Sequence, residues 1–213
     1  MSTCPHNHQV SCNDCRLGGI CLPVALKGED IVKLDEIVKR GKVLQKGEHV
    51  FRASDAFESV YAIRSGYIKT YQLSDEGEEQ VTGFYFPGEV FGMEGISQKF
   101  YSNSAKALES TAVCEIPFAA FQDLSMKLPE LQNHFFQLMS QEISEDQQLM
   151  TLLSKKNAQE RVASFLLMVS ARNATRKMSA TSFRLPFSRT EIGNYLGLTV
   201  ETVSRTIGQL GKC

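Results

Sequence analysis

The sequence predicts an α+β chain: an N-terminal antiparallel β-roll or jelly roll, one long helix, and a C-terminal helix-turn-helix domain. Three observations carry this. Residues 43–114 read as short β-branched and aromatic runs broken by Lys46-Gly47-Glu48, Arg64-Ser65-Gly66, Asp75-Glu76-Gly77 and Pro87-Gly88-Glu89. From about Leu128 the apolar period turns helical and stays so through Leu153. Residues 188–210 then read as two short helices joined at Gly197.

The chain has 213 residues, 42% of them hydrophobic, enough core for one large or two small domains. No apolar run follows basic residues at the N-terminus, and no stretch approaches the roughly 20 apolar residues of a membrane span. The expectation is a cytoplasmic protein without membrane attachment, in which reduced thiols favour metal binding over disulfides. The net charge of −1 hides an asymmetry: residues 155–213 carry 10 Lys and Arg against 3 Asp and Glu, while residues 1–154 carry 13 against 21. The C-terminal third therefore suits a polyanion.

Residues 1–22 form a cysteine-rich loop. Cys12 and Cys15 are two residues apart and Cys21 follows after five more, with Gly18 and Gly19 expected to bend the backbone at positive φ. Three thiolates held this close repel one another and attract a cation. A fourth ligand closes a thiolate-held zinc or iron–sulfur site, and Cys114 is the only mid-chain cysteine. Cys4, His6 and His8 rank below this set, and Cys213 is taken as incidental.

Residues 23–127 are assigned to the roll. It opens with a helix over residues 27–40, its apolar side formed by Ile31, Leu34, Ile37 and Val38 and its stop by Gly41. Residues 60–63 and 66–71 look like paired strands, and Cys114 falls in one of the last strands, residues 110–117.

Residues 128–156 form the long helix. Phe136, Met139, Ile143, Asp146, Met150 and Leu153 recur three or four apart, an a/d seam with one polar intruder. A second stripe, Phe135, Leu138, Leu149 and Leu152, is expected to pack on the roll. Two apolar faces imply two partners, the roll and a second copy of the chain. Facing Asp146 carboxylates in a two-fold seam repel, so this homodimer needs another stabilising event.

Residues 157–213 hold a helix over 157–172 with Val162, Phe165, Leu166 and Val169 inward, a polar connection over 172–182, a short strand over 184–187, and the helix pair. Ser188 and Glu191 make a capping box. Ile192 and Leu196 face inward, Gly193 permits close approach and Gly197 ends the helix. Thr199 caps the second helix, whose Val200, Val203, Ile207 and Leu210 form a buried stripe. Glu201, Thr202, Ser204, Arg205 and Gln209 point outward. This is a helix-turn-helix pattern. The chain stops at Cys213 just after it, so the expectation is a domain truncated before any wing.

These stretches together resemble the CRP/FNR superfamily, on its FNR-like branch, over nearly the whole chain. The likeness rests on SCNDC with CLP five residues on, SVYAIRSGYIK, VCEIPF, LLSKKNAQER and IGNYLGLTVETVSR. It implies a global transcription regulator that responds to oxygen. An oxygen-labile [4Fe–4S] cluster on Cys12, Cys15, Cys21 and Cys114 favours a dimer that binds a two-fold site on double-stranded DNA and works with RNA polymerase, as activator or repressor. Cluster loss gives inactive monomer. The resemblance places Glu201, Ser204 and Arg205 at base-contacting positions, with Thr199 and Thr202 beside them, and makes Asp146 the carboxylate that opposes dimerisation. Arg16, directly after Cys15, departs from the smaller neutral residue usual in the family.

Three other readings are weaker. A cyclic-nucleotide sensor would need an arginine near the phosphate, and residues 101–105 (YSNSA), beyond the turn at residues 91–94, contain none. A four-thiolate zinc site is chemically reasonable. An enzyme is not expected, since no nucleophile–base pair, phosphate loop or paired acid–base carboxylates stand out, and His49 and His134 read as surface or core residues.

Overall fold

A computed structural model describes residues 10–211. In chain order, a 3-10 turn (Leu22–Ala25) and α1 (Glu29–Ile37) precede eight strands: β1 (Lys39–Arg40), β2 (His49–Phe51), β3 (Ser59–Ser65), β4 (Ile68–Leu73), β5 (Glu79–Tyr85), β6 (Val90–Phe91), β7 (Ser104–Ala107) and β8 (Ala112–Pro117). A single-turn helix α2 (Gly95–Gln98) lies between β6 and β7. The helical part is α3 (Phe118–Lys127), α4 (Pro129–Lys155), α5 (Ala158–Thr175), α6 (Arg189–Leu196) and α7 (Val200–Leu210). The strands form two antiparallel four-stranded sheets, ordered β1-β8-β3-β6 and β2-β7-β4-β5. The expected roll, long helix and helix-turn-helix are all present.

Three apolar clusters hold these layers together. One joins the 3-10 turn, α1, α3 and α4 to the first sheet through Leu22, Leu34, Ile116, Phe121, Leu131 and Phe135. A second fills the roll around Phe51, Ile63, Ile68 and Phe91. The third is shared between domains: Val81, Phe84 and Phe86 of the roll pack with Val162, Phe165, Phe187 and Ile192. In it Phe84 and Phe187 lie with ring centroids 4.2 Å apart.

Several local expectations are corrected. Residues 60–63 and 66–71 do not pair with each other: β3 pairs β6 and β8, whereas β4 pairs β5 and β7. The Arg64-Ser65-Gly66 turn is a corner that carries the chain from one sheet to the other. Gly66 has φ 79°, and a Cβ there would lie 2.3 Å from Thr111 Oγ1 and 2.7 Å from the Ser110 carbonyl. The first helix ends at Ile37 rather than Arg40, because Val38 turns extended and Lys39 and Arg40 pair with β8. α3 has no counterpart in the sequence expectations. α5 runs on to Thr175, past the expected end at Arg172. Residues 184–187 form no strand; Phe187 is buried in the interdomain aromatic cluster instead. In the second stripe of α4, Phe135 and Leu138 meet the roll, while Leu152 joins the cluster shared with α5 and α6. Val200 is 38% exposed, and Thr206 takes a buried place on α7.

The corner at Gly66 yields a direct test. Gly66→Ala is expected to lower stability by about 2 kcal/mol or more, through a strained φ and the clash with Thr111. Urea unfolding would show this as a lower midpoint with an unchanged slope.

Candidate metal centre and nucleic-acid interface

The cysteine loop is built from short turns. Gly18 N–H donates to the Cys15 carbonyl at 2.9 Å, and Cys21 N–H to the Leu17 carbonyl at 3.0 Å. Neither Gly18 nor Gly19 has positive φ, contrary to expectation. Gly18 is needed for proximity: a Cβ there would lie 3.2 Å from the Cys15 carbonyl and 3.5 Å from that of Cys12. Cys21 is the N-cap of the 3-10 turn, whose Leu22 and Pro23 are buried. That turn packs on α4, within the cluster that holds Leu131, Phe135 and Leu138. Cys114 lies on β8, opposite Arg40 of β1 and Ala62 of β3.

These elements bring Cys12, Cys15, Cys21 and Cys114 to the wall of one apolar cavity, with Leu17, Leu34, Ile116, Arg40 and Arg64 also lining it. All four cysteines are free. Burial pushes the Cys21 thiol up to about 12, and the neighbouring Cys114 and Cys15 add to the shift. Burial also raises Cys12, helped by its hydrogen bond to Asp35, and raises Cys114 against the pull of Arg40 and Arg64. Cys12, Cys21 and Cys114, raised in this way, need a bound cation beside them to become thiolates. Soft sulfur donors suit zinc or an iron–sulfur centre, so the residues fit such a group. Among the described residues, no three His, Cys, Asp or Glu side chains converge on one point as ligands of a single ion. Cys4, His6, His8 and Cys213 lie outside the described residues.

Beside Cys12 sits a pair that sequence reasoning missed. Asp35 on α1 accepts the Cys12 N–H at 2.6 Å and forms an ion pair with Arg40. Burial would raise the Asp35 carboxyl, but the Cys12 and Arg40 hydrogen bonds hold it below its ordinary range. Arg40 Nη2 lies 3.7 Å from Cys12 Sγ.

On α4, Phe136, Ile143 and Met150 are 58%, 57% and 62% exposed, a stripe that no other part of the described residues covers. Asp146 is exposed on the same side, and Met139 and Leu153 are half-buried. The helix pair beyond has the expected caps. Ser188 and Glu191 form the capping box, Gly197 closes α6 at φ 62°, and Thr199 accepts from Thr202 N–H. A Cβ on Gly193 would lie 2.6 Å from the Leu198 carbonyl. Glu201, Ser204 and Arg205 project from the exposed face of α7, while Thr199 and Thr202 bond to each other at the cap.

The helix pair is also docked on the roll. Asn194 of α6 pairs its side-chain amide with Val81 N–H and the Glu79 carbonyl, and Gln80 Nε2 donates to the Asn194 carbonyl at 3.0 Å. Lys69 of β4 lies 2.6 Å from Glu79 and 3.4 Å from Glu191. Arg172 bridges Glu145 of α4 at 2.5 Å and Glu89 of the roll at 3.3 Å, and Arg176 meets Glu89 at 2.6 Å. No periodicity or motif announces these contacts.

Comparison with known proteins agrees with this architecture. The Cyclic nucleotide-binding domain family matches residues 41–127 and the Crp-like helix-turn-helix domain family residues 160–212. The Transcriptional activator protein Anr of Pseudomonas protegens is 56% identical over 200 residues, spanning 94% of this chain and 82% of that protein. This chain belongs to the CRP/FNR family.

Within the family it is FNR-like: the Fumarate and nitrate reduction regulatory protein of Yersinia pestis is 47% identical over 205 residues, covering 96% of this chain and 82% of that one. Among solved structures, FixK2 from Bradyrhizobium japonicum matches with a TM-score of 0.75 at 31% identity, over 83% of this chain and 85% of that chain. The protein is a helix-turn-helix transcription regulator rather than an enzyme.

In this CRP/FNR chain a cavity of about 240 Å³ lies between the roll and α4, lined by Thr70, Thr82, Asn103, Glu94, Glu142 and Asp146, among others. Its wall is acidic. Tyr85 Oη donates to Glu142 Oε1 at 2.6 Å. Burial pushes the Glu142 carboxyl up to about 7; the Tyr85 bond opposes this, and Glu94, Asp146 and Glu145 reinforce it. Asp146, exposed on its outer side, is raised as well by its partial burial against the cavity wall, with Glu145 adding.

Glu142 sets a pH dependence. Its folded pKa of about 7 lies above the ordinary 4.5, so the folded state keeps a proton that the unfolded chain releases, and stability falls as pH rises through that window. Glu142→Gln is expected to be more stable than wild type above pH 7, by on the order of 3 kcal/mol, with the gap closing towards pH 4.5. Urea unfolding at pH 5 and pH 8 measures it, and a gap that does not grow with pH refutes the assignment.

Proposed function

We propose that this regulator responds to oxygen through a [4Fe–4S] cluster held by Cys12, Cys15, Cys21 and Cys114. The observation that carries the reading is that a loop running into a 3-10 turn, and a strand far on in the sequence, bring these four thiols to one cavity. Relatives named for anaerobic or fumarate and nitrate regulation support the same reading. The chemistry such a cluster supplies is lability to oxygen.

The chain's own residues convert that lability into a change of assembly. Tying Cys21 to Cys114 fixes the Leu22–Ala25 turn against α4. The exposed stripe of Phe136, Ile143 and Met150, with Met139 and Leu153 alongside, then packs on its copy in a second chain. Asp146 opposes the pairing by facing its counterpart, which leaves the homodimer dependent on the clamp. Two α7 helices about one DNA turn apart read a two-fold site on double-stranded DNA. Arg205 donates to guanine and Glu201 accepts from cytosine, each pair contributing about 1–3 kcal/mol of discrimination, with Ser204 beside them. Bound there, the dimer acts on RNA polymerase in the cytoplasm. Cyclic nucleotide has no role in this scheme: the lining of the roll–α4 cavity, with Glu94, Glu142 and Asp146, supplies no counter-charge for a phosphate.

Protein purified without oxygen is expected to be brown, to contain iron and sulfide, and to scatter light as a dimer that becomes colourless monomer in air. Cys114→Ser is expected to lose the visible absorbance and stay monomeric. Colourless, iron-free protein prepared anaerobically would overturn the reading. Arg205→Ala is expected to cost about 1–3 kcal/mol on the preferred site and to flatten the preference at its base pair, as read by fluorescence anisotropy.

A further inference from the structure

The Asp35–Arg40 pair joins α1 to β1 beside the cysteine cavity. Arg40 belongs to β1, paired with β8, and stands directly opposite Cys114, so the two side chains leave the ladder on the same face. Its side chain is only 14% exposed and lines the cysteine cavity. One end of the guanidinium is engaged: Nη2 meets Asp35 and lies 3.7 Å from Cys12 Sγ, and Nη1 donates to the Val38 carbonyl at 3.4 Å. Nε is buried and has no hydrogen-bond partner; among the described residues only His134 Nε2 shares that condition. An unpaired donor on a buried cation is costly unless an acceptor comes to it. Asp35, which also takes the Cys12 N–H, fixes the fork in place.

We propose that Arg40, clamped by Asp35, is a positioning residue of the thiolate centre. It donates to the Cys12 sulfur and offers its remaining N–H to the acceptors that fill the cavity when the centre is assembled. This rests on the reading of the four cysteines as cluster ligands. Four thiolates bring negative charge into an apolar site, and a guanidinium cannot shed its proton to escape them. Donors to ligand sulfurs orient the ligands and weaken the metal–sulfur bond slightly, and they tune how readily the centre is oxidised. A lysine would supply the charge from a single nitrogen, without the further N–H groups that reach the Val38 carbonyl and remain for the cavity.

The test uses the full chain, reconstituted anaerobically with ferrous iron and sulfide, as wild type, Arg40→Leu, Arg40→Lys and Asp35→Asn. Arg40→Leu is expected to bind iron about tenfold more weakly and to bleach several-fold faster in air, with Arg40→Lys in between. Its iron–thiolate stretching bands in the resonance Raman spectrum are expected to move to higher frequency, a change that a purely structural role would not produce. Should Arg40→Leu lose its fold by circular dichroism, Asp35→Asn keeps the cation but frees the fork, and its bands are expected to shift the same way by less. Variants that load, bleach and vibrate like wild type would overturn this inference and leave the cluster reading standing. A wild-type protein that takes up no iron would overturn both.

Discussion

The antiparallel pairing of β1 with β8 is the constraint on which the amino-terminal half depends. β8 is an interior strand, with β1 on one side and β3 on the other, so Cys114 cannot move without breaking two ladders. The loop bearing the other three cysteines must come to it. β1 makes that possible because it follows α1 directly, and α1 presents Asp35 to the Cys12 amide. Two residues of strand thus position a helix, a loop and an arginine around one fixed sulfur.

The carboxy-terminal half is joined to the roll by a different kind of contact. Phe84 and Phe86 of the roll share one aromatic cluster with Phe165, Phe187 and Tyr195 of the helical domain. Arg172 and Arg176 bring buried charge across the same boundary, each stacked 5.1 Å from the Phe86 ring centre and each paired with Glu89. Apolar burial supplies most of the adhesion, while the paired charges fix the orientation, since removing one partner would strand the other in an apolar setting. Glu145 of α4 pairs with Arg172 as well, an ion pair that links that helix to the helical domain.

Much of this was legible from residue order. The spacing of Cys12, Cys15 and Cys21 and the capping chemistry of Ser188, Gly197 and Thr199 are local signals, and the structure brings those three cysteines to one cavity and places the caps as expected. The misreadings have physical reasons. Arg64-Ser65-Gly66 has the composition of a hairpin turn, yet it serves equally as a corner between sheets, and only the partners of β3 and β4 distinguish the two. Residues 39–40 continue a helical pattern, but tertiary pairing with β8 overrides it. Asp35 and Arg40 lie 23 and 28 residues from Cys12, and nothing short of the strand register connects them to it. The docking of Asn194 on β5 is likewise invisible, because its partners are backbone groups that any residue could supply.

Asn194 has a consequence for solubility. β5 is the outermost strand of its sheet, and an outermost strand offers unpaired amide groups to any passing chain. The carboxamide of Asn194 fills two of those vacancies, as a neighbouring strand would. If the helical domain swings away, that protection leaves with it, and the roll is left with a bare rim open to stray intermolecular pairing.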